Sequence, residues 1–282
     1  MEYELIDSGN GRRLERFGKY ILNRPDPEVM WQRTLPPEDW AKADAEFVND
    51  KWATKPNFPE KWELAINNIN VNLKLTPFKH VGIFPEQFEQ WNLILELITR
   101  NPSQPHILNL FGYTGVASLY ALEAGAKVTH LDASRPAITW FRENQALSGL
   151  SDKPARIIID DAIKFTAREI KRGVKYDGVI MDPPVYGHGP NGEKWSFVKD
   201  FPLLLDNVTK ILTEKPLFVI INAYAVSTSS TSLSNMLLDK LKEFKGNIIN
   251  GELTLKETSA KRILSTGIYA IWQAQNTPKL QR

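Results

Sequence analysis

Between residues 106 and 221, apolar runs of five or six residues alternate with segments whose apolar positions recur at helical spacing. Residues 106–110, 127–131, 155–159, 176–181 and 216–221 read as strands. Such near-continuous apolar runs suit a sheet buried on both faces. The alternation predicts an α/β fold, a Rossmann-like and mostly parallel sheet with helices on both faces. The last two strand-like runs, 248–256 and 262–274, have no helix between them, which predicts an antiparallel terminal strand. The Ser- and Thr-rich stretch 227–234 predicts a helix start.

The first 80 residues follow another pattern, short alternating runs at 3–6, 13–21 and 64–75 interrupted by prolines. Asp7-Ser8-Gly9-Asn10-Gly11 separates two such runs and predicts a hairpin. A small β-rich domain over residues 1–78 and a larger α/β domain over 79–282 follow from this change of pattern. Trp31, Trp40, Trp52 and Trp62, with Trp91 just beyond, put five of the eight tryptophans near this end. They read as the core of a small domain or, less commonly, as a surface for stacking bases.

Composition narrows the chemistry. The 35 basic and 33 acidic residues leave a net charge of +2, which permits a nucleic-acid partner without demanding one. There is no cysteine, which excludes disulfides, thiolate metal sites and a cysteine nucleophile, and no metal is expected. The N-terminus is polar, and no apolar run approaches the roughly 18 residues of a membrane span, so no membrane is expected and a cytoplasmic protein is the default.

Four of the strand-like runs end in residues that carry chemistry. Asn109-Leu110-Phe111-Gly112-Tyr113-Thr114-Gly115 closes the first and opens a helix, where glycines allow close approach to a ligand and free N–H groups can face an anion. Asp132 ends the second, the position from which an acid binds ribose hydroxyls in nucleotide-binding folds. Asp160-Asp161-Ala162 ends the third: Asp161 can accept from an adenine amine beside the Ala162 N–H, or simply cap the next helix. Asp182-Pro183-Pro184-Val185-Tyr186 ends the fourth. Two prolines can neither extend a sheet nor begin a regular helix turn, so the chain must leave as a stiff ledge with Asp182 at the sheet edge. Pro183, Pro184 and Tyr186 would shape a slot for a flat ring, with Asp182 accepting from its amine. The three-glycine stretch 187–195 would act as a mobile lid. His188 within it reads as a general base or, more commonly for a lone histidine, as a solvated side chain.

A nicotinamide-dependent oxidoreductase would share the glycine turn and the ribose acid. It would also want G-x-G-x-x-G, whereas Gly112 and Gly115 are followed by Ser118. A non-catalytic RNA-binding module is the other alternative.

With these residues, the chain resembles the class I S-adenosylmethionine-dependent methyltransferases. More narrowly it resembles the bacterial group related to large-subunit ribosomal RNA base methyltransferases, in which a small β domain precedes the catalytic sheet. The resemblance rests on His80-Val81-Gly82-Ile83-Phe84-Pro85-Glu86-Gln87, the 109–115 loop, Asp132-Ala133-Ser134, residues 144–150, Asp161-Ala162 and the Asp182 loop. It implies S-adenosylmethionine as cofactor. Its contacts would be the glycine loop (Asn109, Phe111, Gly112, Tyr113, Thr114, Gly115) at the methionine end, Asp132, Ala133 and Ser134 at ribose, and Asp161 and Ala162 at adenine, with Phe84, Gln87 and Asp182 as further contacts. It implies RNA, ribosomal RNA above all, as the partner facing Asp182. Relatives that methylate carbon 5 of pyrimidines need a cysteine, so its absence points to transfer onto nitrogen.

Overall fold

The computed structural model describes residues 1–275. They form two compact units, Met1–Glu86 with Thr254–Thr266, and Gln87–Leu253 with 267–275. In chain order the elements of the first stretch are β1 (Tyr3–Gly9), β2 (Arg12–Phe17), β3 (Tyr20–Pro25), α1 (Pro37–Trp40), β4 (Ala45–Val48), β5 (Lys51–Thr54), β6 (Trp62–Ile66) and β7 (Ile69–Leu73). β1 to β5 make one sheet in sequence order, and β6 and β7 pair separately.

Asn10 and Gly11, with φ of 53° and 72°, join β1 to β2 in the left-handed conformation that an Asn-Gly hairpin turn requires. Trp40 and Trp62 are buried core residues, whereas Trp31 and Trp52 are half-buried; the indole N–H groups of Trp31, Trp40 and Trp52 donate to Ser8, Asp7 and the Thr76 carbonyl. The division falls after Glu86 rather than at residue 78, because residues 74 and 76 hydrogen-bond back from 81 and 80 within this unit. Thr254–Thr266 joins it because Thr258 and Ser259 donate to the carbonyls of Leu5 and Ile6, and Glu257 accepts from the Ser8 N–H.

The second stretch holds α2 (Phe88–Thr99), β8 (His106–Leu110), α3 (Val116–Glu123), β9 (Lys127–Asp132), α4 (Arg135–Leu147), β10 (Ala155–Ile159), α5 (Ala162–Arg172), β11 (Gly178–Met181), β12 (Tyr186–His188), β13 (Lys194–Ser196), α6 (Phe197–Ile211), β14 (Phe218–Ala223), α7 (Ser230–Lys240), β15 (Gly246–Lys256) and β16 (Ile263–Ala274). Seven of these strands form a sheet in the order β10-β9-β8-β11-β14-β16-β15, parallel from β10 to β14 with β16 antiparallel to β14. Alternate residues serve opposite faces. Leu108, Leu110, Leu131, Val179 and Met181 pack with α5, α6 and α7, whereas Asn109 and His130 reach Ser118 of α3 and Phe141 of α4. The chain moves outward from β8 in one direction through β9 and β10, then in the other through β11 and β14. That reversal between β8 and β11 is the switch point at which open α/β sheets bind ligands.

Candidate functional site

Leu131, Leu110, Met181 and Ile221 stand level across four neighbouring strands. Asp132, Phe111, Asp182 and Asn222 therefore follow at one height, around the switch point. The loop after β8 is tightly wound: Phe111 (φ 58°) and Tyr113 (φ 49°) are both left-handed, an uncommon state for bulky residues that persists only where the surroundings enforce it. Gly112 N–H donates to the Leu131 carbonyl at 2.9 Å, Tyr113 N–H to Asp132 at 2.8 Å, and Asn144 to the Thr114 carbonyl at 3.0 Å.

The glycines answer to packing here. A Cβ on Gly112 would lie 2.3 Å from the His130 ring, and one on Gly115 (φ 85°) would lie 2.0 Å from Phe141. His130 and Phe141 are stacked at 3.9 Å directly beneath the loop. Asn109 donates to the Ser118 hydroxyl, which shares a hydrogen bond with His130 Nδ1, each at 2.9 Å. Burial pushes the His130 imidazole down to about 3, so it is neutral. α3 then begins at Gly115 with no side-chain cap, unlike α4, α5 and α7, which Ser134, Asp161 and Ser229 cap.

The strand-end acids have neutral partners in most cases. Asp132 accepts from the N–H groups of Tyr113 and Ser134, both at 2.8 Å. Burial raises its pKa and outweighs these bonds, which lower it. Asp161 accepts from the Lys164 N–H at 2.9 Å and so does cap α5, while Asp160 pairs with Arg168. Asp182 accepts from the Gln87 amide at 2.9 Å, and the same nitrogen donates to the Tyr224 hydroxyl at 2.9 Å. Beside them Gln90 and Asn222 exchange two amide hydrogen bonds of 2.9 and 2.8 Å in a buried pair.

Residues 187–195, expected as a loose lid, form most of a hairpin instead. β12 and β13 pair Tyr186 with Ser196, Gly187 with Trp195 and His188 with Lys194. Trp195 anchors it: the buried indole donates to the Pro184 carbonyl at 2.7 Å and its ring lies 5.0 Å from that of Phe111. Lys164 binds Glu193 at 2.6 Å and holds that carboxyl down to about 2. Glycines at 187, 189 and 192 suggested mobility, but a bulky anchor and an ion pair can fix a glycine-rich turn.

The sheet edge thus gathers the loop 111–115, Asp132, Ala133, Ser134, Asp161, Asp182 and Pro183. The side chains of Asn109, Thr114 and Ala162 are buried. Phe84 lies in the first unit, its ring 5.4 Å from His80. Pro184 is exposed and Tyr186, expected in the slot, is 77% exposed on β12. Tyr224, Gln90, His130 and the anchoring role of Trp195 were not read from the sequence. The fifth parallel strand ending in Asn222-Ala223-Tyr224 was the available signal. Among the described residues no group of three or more His, Asp or Glu is placed to hold a metal ion. No helix of theirs is long and apolar enough to cross a membrane.

Sheet order and edge together define a Rossmann-like fold of the kind that methyltransferases use. No family model matches the chain. An S-adenosylmethionine-dependent methyltransferase from Agrobacterium tumefaciens, known from its crystal structure, is 39% identical, with a TM-score of 0.95 over 98% of this chain and 91% of its own. The chain belongs to the S-adenosylmethionine-dependent methyltransferases. SMU.776, solved in complex with S-adenosylhomocysteine, shares the fold at 19% identity and a TM-score of 0.71, over 93% of this chain and 72% of its own. Ribosomal RNA large subunit methyltransferase K/L of Shewanella frigidimarina (strain NCIMB 400) is 32% identical over 143 residues, 50% of this chain and 19% of that protein. Ribosomal RNA large subunit methyltransferase I of Pseudoalteromonas translucida (strain TAC 125) is 28% identical over 170 residues, 60% of this chain and 39% of that protein. The matched part is about a fifth of the length of the K/L relatives, 19% of the first of them.

Proposed function

We propose that this chain methylates a nitrogen of an RNA base, using the carboxyl edge of its parallel sheet. The observation that carries the reading is the Gln87 amide joining the Asp182 carboxylate to the Tyr224 hydroxyl beside the two prolines. Ribosomal RNA is the substrate favoured by the names of the curated relatives. Such a substrate would be met in the cytoplasm.

The donor set fits the family's cofactor. The uncapped start of α3 suits a carboxylate, whereas the Gly112, Tyr113 and Gly115 N–H groups of the loop before it are already taken. Asp132, held by backbone N–H groups, is placed to accept from hydroxyls, with Ala133 and Ser134 alongside. Asp161 and Ala162 would serve the adenine edge, and Gln87 would be a further contact. S-adenosylmethionine, when bound, supplies a methyl group activated on a sulfonium.

A base nitrogen with a lone pair needs orientation more than proton transfer, and orientation can be worth up to roughly 7–11 kcal/mol. Asp182 would accept a hydrogen bond from the target amine, its own direction fixed by Gln87. Pro183 and Pro184 would form the stiff wall of the slot. With no cysteine, no covalent adduct to a pyrimidine carbon can form through a thiolate. An unpaired or flipped base is required to reach the edge. Family membership sets hydride transfer aside.

Labelled S-adenosylmethionine incubated with separated RNA, DNA and protein fractions tests the reading. Label should enter RNA and depend on Asp182. Label confined to DNA or protein, or full turnover by Asp182→Ala, would overturn it.

A further inference from the structure

The β12–β13 hairpin has two unlike faces. Gly187 and Trp195 oppose each other on one, where Trp195 is 6% exposed against Pro184 and Phe111. Pairing in register puts Tyr186, His188, Lys194 and Ser196 on the other. There Tyr186 is 77% exposed, and His188 and Lys194 are exposed too. His188 and Lys194 are directly opposite, which sets their Cβ atoms about 5 Å apart, near enough to share one oxyanion.

This face is rigid and carries no spare acid. The Phe197 N–H donates to the Val185 carbonyl at 2.9 Å and the Gly189 N–H to the Glu193 carbonyl at 2.8 Å. Glu193 is taken by Lys164 and the Asn191 N–H, and Asp200 accepts from the Ser196 N–H at 2.8 Å. An exposed aromatic ring beside two phosphate-binding side chains is the chemistry that grips single-stranded nucleic acid. An apolar or acidic peptide would have no use for both. The face begins two residues beyond Pro184, and Trp195 separates it from the glycine loop, so it is offset from the slot at Asp182.

We infer that this outer hairpin face docks the single-stranded nucleic acid flanking the target, Tyr186 stacking on a neighbouring base while His188 and Lys194 hold a phosphate. The inference rests on the RNA-methylation reading above and gives Tyr186 a role outside the slot.

The full-length protein and its Tyr186→Ala, Tyr186→Phe and Lys194→Gln variants would be titrated with a random-sequence single-stranded RNA, followed by fluorescence anisotropy over a range of salt. Methyl transfer to RNA, calorimetry with S-adenosylmethionine and thermal melts would be run in parallel. Tyr186→Ala should weaken RNA binding about tenfold and raise KM for RNA alike, with Tyr186→Phe restoring both. Lys194→Gln should reduce the slope of log affinity against log salt by about 0.7. Melting temperature and cofactor affinity should stay at wild-type values. If wild-type protein methylates RNA but the variants bind RNA as it does, the docking face is refuted and the function stands. Equal losses on duplex RNA would refute stacking. Label entering protein and not RNA, with the variants impaired on that substrate, would overturn both.

Discussion

In the first unit Glu15 is wholly buried between Arg24, bound at 2.7 Å, and Arg13 at 3.1 Å, with the Tyr3 hydroxyl donating to it at 2.9 Å. In the second, Asp132 sits at a strand end and accepts from the backbone N–H groups of Tyr113 and Ser134, with no ion pair among the described residues. Burial raises the pKa of both, but the arginines reverse the effect on Glu15 and leave it lowered, while Asp132 stays raised. Arg262 closes Asp7 and Glu257 of the first unit in the same way as the arginines at Glu15. An acid saturated by guanidinium groups is structural. One that pays burial yet is positioned by neutral donors is held ready for something else.

The largest effect expected from this contrast is on stability. Glu15→Gln should destabilise the protein by about 3–5 kcal/mol, because it leaves buried arginines without their acid. The acid limb should change too. A lowered folded pKa contributes stability that is complete above the ordinary glutamate range and is lost as pH falls below it, so acid melts of wild type should show this loss and Glu15→Gln should not. At the sheet edge, Asp182→Ala should reduce single-turnover methyl transfer by roughly a hundredfold, the scale of misplacing a reacting group, with little change in melting temperature. Tyr224→Phe is expected to do least. Losing one acceptor for Gln87 should cost about 1 kcal/mol, roughly fivefold in turnover. A larger effect on stability than on turnover would place Tyr224 with the structural polar groups of the first unit.

Much of the second unit was legible because its strands are buried on both faces. β8 and β10 match residues 106–110 and 155–159 end to end, since each is a mostly apolar run between polar turns. Asp132, Asp161 and Asp182 were legible because each follows such a run. What the residues could not disclose is contact across distance. Gln87 meets Asp182 from 95 positions away, and Tyr224 from 137, through a sheet order that local pattern does not contain. His130 looked like any strand residue, although its ring is what Gly112 must clear. The hairpin at 186–196 read as a loop because glycine signals freedom and says nothing of an anchor such as Trp195. Residues 254–266 looked continuous with the terminal strands, and nothing in their alternation marks them as part of the first unit.

The most direct test is calorimetric titration of S-adenosylmethionine into wild type and Asp132→Asn, with melts of both proteins without cofactor. Hydroxyl bonds to a charged carboxylate are worth about 1.5–3 kcal/mol each, so affinity should fall at least about tenfold. A raised folded pKa means that Asp132 favours folding when protonated and gives this up as pH rises through that value. Asparagine keeps one oxygen acceptor and turns an amide donor toward the other N–H, so Asp132→Asn should lose no more than about 1–3 kcal/mol of stability, less than Glu15→Gln. Unchanged affinity with a loss of stability as large as that of Glu15→Gln would contradict the account, because Asp132 would then be a structural acid like Glu15.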